Sequence, residues 1–191
     1  MPRILMTLVA TVAFAVSSAS AFAQATTYTI DNSHTSLIFA VSHMGFSDTY
    51  GRFNKISGTV AWDASAPAAS KLDVTIDANT IDTNDAKRDD HLKNADFFNV
   101  KQFPLITFKS TKVVVDGDKV SVTGDMTMHG VTKPVTLSLT KLKEGATPFK
   151  DVRIGFRGTT TVKRSDFGMN GMQGGIGDEI AIMLSFEAIK K

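Results

Sequence analysis

The fold is decided by the stretch VSVTGDMTM at residues 120–128, in which apolar and polar side chains alternate. The even-numbered residues are apolar except for Gly124, and the odd-numbered residues are polar. Successive side chains of a β-strand point to opposite faces of the sheet, so a period of two is typical of a strand with one buried face. The stretch therefore predicts a half-buried strand.

The same alternation recurs on both sides of this strand, at residues 72–77, 135–140, 152–157 and 179–186. Turn signals separate the predicted strands. Asp116-Gly117-Asp118 predicts a tight hairpin, Gly130 and Lys133-Pro134 are expected to break the chain again, and residues 143–148 are expected to form a polar loop.

Closely spaced strands joined in sequence favour an antiparallel meander that curls into a barrel. The βαβ spacing that a parallel α/β fold requires does not recur in the sequence. We therefore predict an all-β protein, an antiparallel barrel of about eight strands.

One segment departs from the alternation and predicts a short helix near residues 84–95. Asn84 is a favourable N-cap, Asp85 suits the first turn, and residues 86–94 include no β-branched side chain. Leu92, Ala95 and Phe98 recur at helical spacing. We expect the helix to end near Phe98 and to cover one end of the barrel. The Gly-rich stretch at residues 168–177 is expected to be a loop before the last strand.

The first residues have the pattern of a secretory signal peptide. Arg3 precedes an apolar run at residues 4–16, and Ala21-Phe22-Ala23 is a small-x-small cleavage site. The apolar run is shorter than the roughly 20 residues that span a bilayer. We therefore expect residues 1–23 to be cleaved after Ala23, leaving residues 24–191 as a single domain in the periplasm of a Gram-negative bacterium.

Composition narrows the possible partners. The sequence contains no cysteine, so an exported chain of this length must be held together by its hydrophobic core. The formal net charge is +2, with acidic and basic residues interspersed, which argues against a nucleic-acid partner. Beyond the signal peptide, no stretch approaches transmembrane length, so we expect a protein that is not embedded in a membrane.

Several separated motifs resemble the YceI-like family, which comprises polyisoprenoid-binding periplasmic proteins with a lipocalin-like barrel. The most specific is RDDHLKNADFF at residues 88–98. The others are DNSHTSLIF at 31–39, HMG at 43–45, GRF at 51–53 with Gly58, FPLITFKS at 103–110, GDMTMHGVTK at 124–133 and RSDFGM at 164–169. The resemblance covers the chain from Tyr28 to Ile189.

The resemblance implies a barrel whose interior takes an amphiphile with a long hydrocarbon tail, such as an isoprenoid quinone, a polyprenyl phosphate or a fatty amide. It implies no cofactor, because such a molecule would be a ligand. Alternation and resemblance together give the expected cavity lining: Phe39, Val41, Phe53, Leu92, Phe98, Phe108, Met126, Leu137, Phe156, Phe167 and Ile182. Periodicity alone does not distinguish a cavity from a barrel filled by its own side chains.

Five polar residues are candidates for a head-group site at the barrel mouth: Arg88, Asp90, His91, Arg164 and Asp166. An arginine there could pair with a phosphate or donate to a carbonyl group. The alternative is structural, with Arg88 or Asp90 fixing the helix to a strand. Arg164 and Asp166 carry the same ambiguity.

Catalysis and metal binding are not indicated by the motifs. The four histidines lack close metal-ligand spacing, and the sequence contains neither a Gly-x-Ser-x-Gly elbow nor a cysteine nucleophile. We therefore expect a carrier that is not an enzyme. Two alternatives remain: a stress-response interaction module with a packed barrel, and a lipid head-group hydrolase using Asp90, His91 or His129. The strand at residues 37–44 has a second apolar face, Ile38, Ala40 and Met44, and a homodimer could form through that face or through an exposed strand edge.

Overall fold

The computed structural model describes residues 25–191, in which ten strands and one α-helix follow one another along the chain. The predicted signal peptide and its cleavage after Ala23 lie outside these residues. The elements are β1 Thr26–His43, β2 Ser47–Phe53, β3 Ile56–Trp62, β4 Lys71–Asp77, β5 Ile81–Asp82, α1 Ala86–Leu92, β6 Leu105–Asp116, β7 Lys119–Met128, β8 Val131–Ala146, β9 Val152–Lys163 and β10 Ile176–Lys190. Three 3-10 turns accompany them: Pro67–Ala69, Ala78–Thr80 and Arg164–Phe167.

The strands close into an antiparallel barrel, which confirms the predicted fold class. Consecutive strands from β6 to β10 pair antiparallel, β4 pairs with β3 and β6, and the first and last strands, β1 and β10, pair to close the sheet. Both β2 and β3 pair with β1, so they form one barrel strand interrupted after Phe53. In the same way, β4 and β5 continue each other on the far side of β3 and β2. The barrel therefore has eight strands.

The two ends of the barrel differ in their connections. At one end, which we call the upper end, lie residues 44–46, 83–104, 129–130 and 164–175. At the opposite, lower end, the connections are residues 63–70, 117–118 and 147–151. Helix α1 belongs to the longest upper connection. In residues 25–191 no helix has the length and apolar character needed to cross a membrane.

The lower half of the barrel is filled by its own side chains. Phe156 stacks on Phe186 at a centroid distance of 5.4 Å and meets Trp62 edge-on at 5.8 Å. Tyr28 is also buried here and donates to Glu144 at 2.8 Å. Burial and this hydrogen bond raise the pKa of Tyr28 to about 12. The lower end is therefore a packed base for the upper half.

Strand β1 carries a long bulge between Asp31 and Ser36, where four residues stand opposite one residue of β10. The side chain of Asn32 spans the gap to the neighbouring strand: it donates to the Asn54 carbonyl at 3.2 Å and accepts from the Ile56 backbone amide at 2.6 Å. A bulge leaves backbone groups without ladder partners, and an amide side chain can replace them. Asn32 thus keeps the barrel wall connected at the bulge.

The helix begins one residue later than the sequence predicts. The N-cap is Asp85, whose carboxylate accepts from the Arg88 backbone amide at 2.9 Å, whereas Asn84 has a positive φ of 63°. Asn is one of the few residues that tolerate this left-handed conformation. The helix also ends earlier, at Leu92, because Lys93 and Asn94 lead into tight turns whose backbone bonds bring Phe97 and Phe98 back toward the barrel.

Two expected breaks are wrong. Pro134 lies inside β8, opposite Asp125 of β7. Proline lacks a backbone N–H, but the ladder between β8 and β9 begins only at Ser138, so no partner in β9 requires that donor. The polar loop predicted at residues 143–148 is shorter, because β8 continues to Ala146 opposite Val152.

Candidate functional site

A cavity of about 160 Å³ occupies the upper half of the barrel. Its wall consists of inward side chains from β1, β2, β3, β4, β6, β7, β8, β9 and β10, and helix α1 and the turn after it contribute Leu92, Phe97 and Phe98. Apolar cavities of about 150 Å³ in protein interiors stay dry and hold a guest the size of benzene. The upper half of this barrel is therefore not filled by its own side chains.

Nine of the eleven residues predicted to line a cavity lie on its wall: Phe39, Val41, Phe53, Leu92, Phe98, Phe108, Met126, Leu137 and Ile182. Three of the rings lie close together, since Phe53 is 5.9 Å from Phe39 and meets Phe98 edge-on at 5.6 Å between centroids. Alternation together with the family resemblance placed these residues correctly, because the inward parity is kept within each uninterrupted stretch of strand.

Phe156 and Phe167 do not line the cavity, which corrects the sequence prediction. The Phe156 side chain points into the barrel but lies below the cavity, where it packs in the aromatic cluster of the lower half. Phe167 lies in the 3-10 turn after β9, where it is 1% exposed and borders the surface groove between β8 and β9. It fills the space left because those two strands pair only from Ser138 onward.

The predicted lining set missed about two thirds of the cavity wall. Leu37, Met128, Ile180 and Leu184 have the same parity as predicted neighbours on their strands, so alternation could have identified them. The remainder depends on where along the barrel axis the cavity lies, which periodicity does not encode. Arg164, predicted as a head-group candidate, also lies on the wall, and the other wall residues are Ile30, Thr35, Ser36, Ile56, Leu72, Val74, Ile76, Phe97, Ile106, Thr160, Val162, Met169, Ile176 and Phe186.

Arg164 is the charged residue of the cavity wall, and it is 5% exposed. Its guanidinium donates to four backbone carbonyls, those of Met169, Gly171, Ile176 and Gly177, at 2.7–3.1 Å. A buried charge must be satisfied by hydrogen bonds or a counter-ion. Arg164 thus folds the loop after β9 around itself, in agreement with the structural alternative.

Some polar residues of helix α1 fix the helix in place, and others are exposed to solvent. Arg88 donates from Nε to the Thr83 hydroxyl at 2.8 Å and from its terminal nitrogen to the Thr83 carbonyl at 2.6 Å. Asp89 accepts from the Thr83 amide and hydroxyl at 2.8 and 2.6 Å. The acidic residue that fixes the helix is therefore Asp89. Asp90, the predicted one, has an 82% exposed side chain and lies 4.0 Å from Lys93.

The other polar candidates lie off the cavity wall. His91 contacts Asp96 at 3.4 Å and packs edge-on against Phe97 at 5.1 Å. Asp166 is exposed and borders the groove between β8 and β9. His129 bonds the Phe167 carbonyl through Nδ1 at 3.0 Å and faces the ring of Phe103. A hydrolase using Asp90, His91 or His129 would therefore need its substrate outside the cavity.

The fold and the cavity define the class: a closed eight-stranded antiparallel barrel with an apolar interior site. A sequence model of the YceI-like domain matches residues 28–188. The chain belongs to the YceI-like family, as its motifs indicate.

One further relative supports this assignment, and two solved structures share the fold. A UPF0312 protein of Pseudomonas paraeruginosa is 42% identical over 171 residues, which are 88% of this chain and 90% of the relative. The crystal structure of Burkholderia cenocepacia BcnA superposes with a TM-score of 0.76 at 27% identity, covering 83% of this chain and 99% of BcnA. A polyisoprenoid binding domain from Saccharophagus degradans shares the fold, with a TM-score of 0.64 at 16% identity and coverage of 86% and 98%.

Proposed function

We propose that this protein is a periplasmic carrier that sequesters the hydrocarbon tail of an isoprenoid or another long-chain amphiphile inside the barrel, without making or breaking a bond. The observation that carries the proposal is the cavity, which is bounded almost entirely by apolar side chains. The polyisoprenoid binding domain of Saccharophagus degradans, which has the same fold, adds support for this ligand class. The signal-peptide pattern at residues 1–23 supports the compartment.

The size of the cavity limits what enters without rearrangement. A volume of about 160 Å³ accommodates a group the size of one ring. A longer tail requires wall side chains to move, and Met126, Met128 and Met169 are suited to this because a thioether chain adapts to irregular apolar shapes. We propose that the tail enters the hollow upper half and stops above the aromatic cluster of Phe156 and Phe186.

Tail burial supplies enough free energy for binding. Each buried methylene contributes about 0.8 kcal/mol, so a tail of about 20 such groups gains roughly 16 kcal/mol before association costs and before the cost of moving the wall side chains that make room for it. Those costs are in the range of about 4–15 kcal/mol. The head group therefore needs to contribute little binding free energy. The charged side chain on the described cavity wall, Arg164, is already engaged by backbone carbonyls.

The proposal is tested with straight-chain alcohols of increasing length that displace a fluorescent fatty acid from the purified protein. Affinity should rise about fourfold per methylene, because about 0.8 kcal/mol corresponds to that factor. The increase should flatten once the tail exceeds the cavity. Affinity that does not depend on tail length would contradict burial inside the barrel.

A matched pair of variants locates the binding. Ile182→Trp places a large ring in the cavity, and we expect it to weaken binding at least about tenfold, or 1.4 kcal/mol. Met183→Trp changes the next residue of the same strand, whose side chain is 41% exposed on the outer face, and should bind as the wild type does. Equal effects of the two variants would place the ligand elsewhere. Circular dichroism of both variants checks that they fold.

A further inference from the structure

Two segments at the upper end carry exposed apolar side chains and no formal charge. The turn at residues 42–47 reads SHMGFS and the loop at residues 168–177 reads GMNGMQGGIG. Neither contains Asp, Glu, Lys or Arg, although these four types make up 21% of the sequence. Phe46 is 88% exposed, Met44 57% and Met172 54%. We call these two segments the uncharged rim.

Backbone hydrogen bonds hold the two segments side by side. The Met44 amide donates to the Gly175 carbonyl at 2.8 Å, and His43 pairs with Ile176 in the sheet. The Phe46 amide closes its own turn on the His43 carbonyl at 3.0 Å, and the Gly175 amide closes the loop on the Met172 carbonyl at 3.1 Å. The exposed side chains are therefore presented on two connected turns.

Met44 and Met172 both adopt a left-handed backbone with φ of 51°. This conformation favours Gly or Asn and is costly for a side chain such as Met. Packing compensates for it only in part, because both residues are more than half exposed. Large apolar side chains at strained, exposed positions indicate a role outside the folded core.

The uncharged rim is continuous with the cavity. Val41 lies on β1 just before the turn, and Met169 and Ile176 lie in the loop. All three residues are on the cavity wall. Neither segment contains a charged residue between its exposed turn tip and these wall residues. The buried Arg164 guanidinium beneath the loop is bonded to the loop's own carbonyls.

We propose that the uncharged rim inserts into the surface of a phospholipid bilayer, so that the barrel exchanges its ligand directly with the membrane. This inference rests on the proposed carrier function, since a long hydrocarbon tail resides in a bilayer. The exposed side chains stand on narrow turns, whereas a stable protein interface buries about 800 Å² on each partner. A fluid bilayer accepts such protrusions, and charged side chains would be costly at that depth.

Because the rim has no Lys or Arg, attraction to anionic lipid does not drive the insertion. Burial of Phe and Met side chains drives it instead, which should make it nearly independent of salt. This separates the proposed mode from electrostatic adsorption through the basic residues elsewhere on the surface.

The experiment is co-sedimentation with neutral phosphatidylcholine vesicles. We compare the wild type, the double variant Phe46→Ser with Met172→Ser, and Phe149→Ser. Phe149 is a matched control because it is 85% exposed but lies at the lower end, next to Lys150 and Asp151. The rim variant should lose vesicle partitioning at least about fivefold. The control should stay within about twofold of the wild type, and so should the wild type when salt rises from about 0.05 to about 0.5 M.

Absence of wild-type partitioning, equal losses in the rim and control variants, or binding only to anionic vesicles would overturn the inference. Sedimentation equilibrium of the same proteins adds a further test. If the wild type is a dimer that Phe46→Ser dissociates, the rim is an interface between copies and the membrane inference is wrong.

Binding of a water-soluble fluorescent fatty acid, measured without vesicles, separates this inference from the proposed function. The rim variant should retain that binding while losing transfer of the probe from vesicles. If the wild type partitions onto vesicles but does not bind the probe, the carrier function is wrong and the membrane contact is supported. Probe binding with transfer unchanged in the rim variant would remove the membrane inference alone.

Discussion

Arg164 shows how one residue organises the upper end of the barrel. Its four hydrogen bonds to backbone carbonyls all reach into residues 169–177, and the side chain reaches no carboxylate within ion-pair distance among the described residues. Neighbouring Asp178 instead accepts from the backbone amide and hydroxyl of Ser165, which lower its pKa. A loop rich in Gly has little side-chain packing of its own, so a buried guanidinium gives it a fixed shape.

Replacing Arg164 should therefore destabilise the protein strongly. In Arg164→Met the carbonyls lose a charged donor, and we expect the free energy of unfolding to fall by about 3 kcal/mol. For a chain of this length the melting temperature should fall by roughly 6–12 °C. Lys163→Met, an exposed neighbour, should change stability by less than about 0.5 kcal/mol. Thermal unfolding of both variants measures this, and equal stability would show that the four bonds contribute little.

A second residue-scale prediction concerns Arg153, which bonds Asp31, Asp151 and Glu187 at 2.8–2.9 Å. Hydrogen bonds from Ser33, His34 and Arg153 hold the pKa of Asp31 well below its ordinary value of 3.8. At a pH above the ordinary pKa of the carboxyl group, the lowered pKa in the folded state contributes to stability. This contribution is lost as the pH falls toward the folded-state pKa.

Arg153→Gln should therefore be less stable than the wild type at pH 7, and the gap should narrow below about pH 4 as the carboxylates become protonated. Urea unfolding at a series of pH values measures the gap. Arg157→Gln, which is exposed on the same strand, is the control. A gap that stays constant down to about pH 2 would mean that Arg153 acts through packing.

At the element scale, helix α1 is short and depends on its cap. The helix has seven residues, and such a helix is marginal without tertiary contacts. It is held by the Asp85 cap and by the bonds between Thr83 and the side chains of Arg88 and Asp89. These bonds position Leu92 and the following Phe98 over the cavity.

Because Asp85 and not Asn84 is the N-cap, substitutions at these two adjacent residues should affect stability differently. Asp85→Ala removes the cap and should cost about 1 kcal/mol of stability. Asn84→Gly should be neutral or stabilising, because Gly adopts the positive φ of 63° without strain. Urea unfolding of the two variants measures the difference. A larger loss in Asn84→Gly than in Asp85→Ala would restore Asn84 as the cap.

The strands were predictable from the sequence because one face of each is buried. Alternation therefore identified β4, β7, β8, β9 and β10 and the hairpin at Gly117. Prediction from alternation failed where the usual backbone hydrogen bonds between neighbouring strands are absent. Pro134 is tolerated because β9 diverges from β8 there, and the bulge in β1 is bridged by the Asn32 side chain. Neither arrangement leaves a local signal in the sequence.

At the scale of the whole molecule, the barrel is packed below and hollow above. The sequence does not distinguish the two halves, since Phe156 and Phe39 are both inward aromatic residues of alternating strands. Their difference arises from what lies across the barrel. Trp62 and Phe186 fill the space beside Phe156, whereas Phe39 faces the cavity under the helix segment. Nine of the eleven predicted wall residues therefore lie on the wall, while the depth of the cavity had to come from the structure.

The central claim, that this barrel sequesters a long-chain amphiphile, is tested most directly by native mass spectrometry of protein purified from the periplasm of its own host. Any bound molecule is then extracted and identified. We expect a single long-chain adduct at one copy per chain, absent from Ile182→Trp and present in Met183→Trp. A clean ligand-free mass that persists after incubation with isoprenoid quinones and polyprenyl phosphates would contradict it.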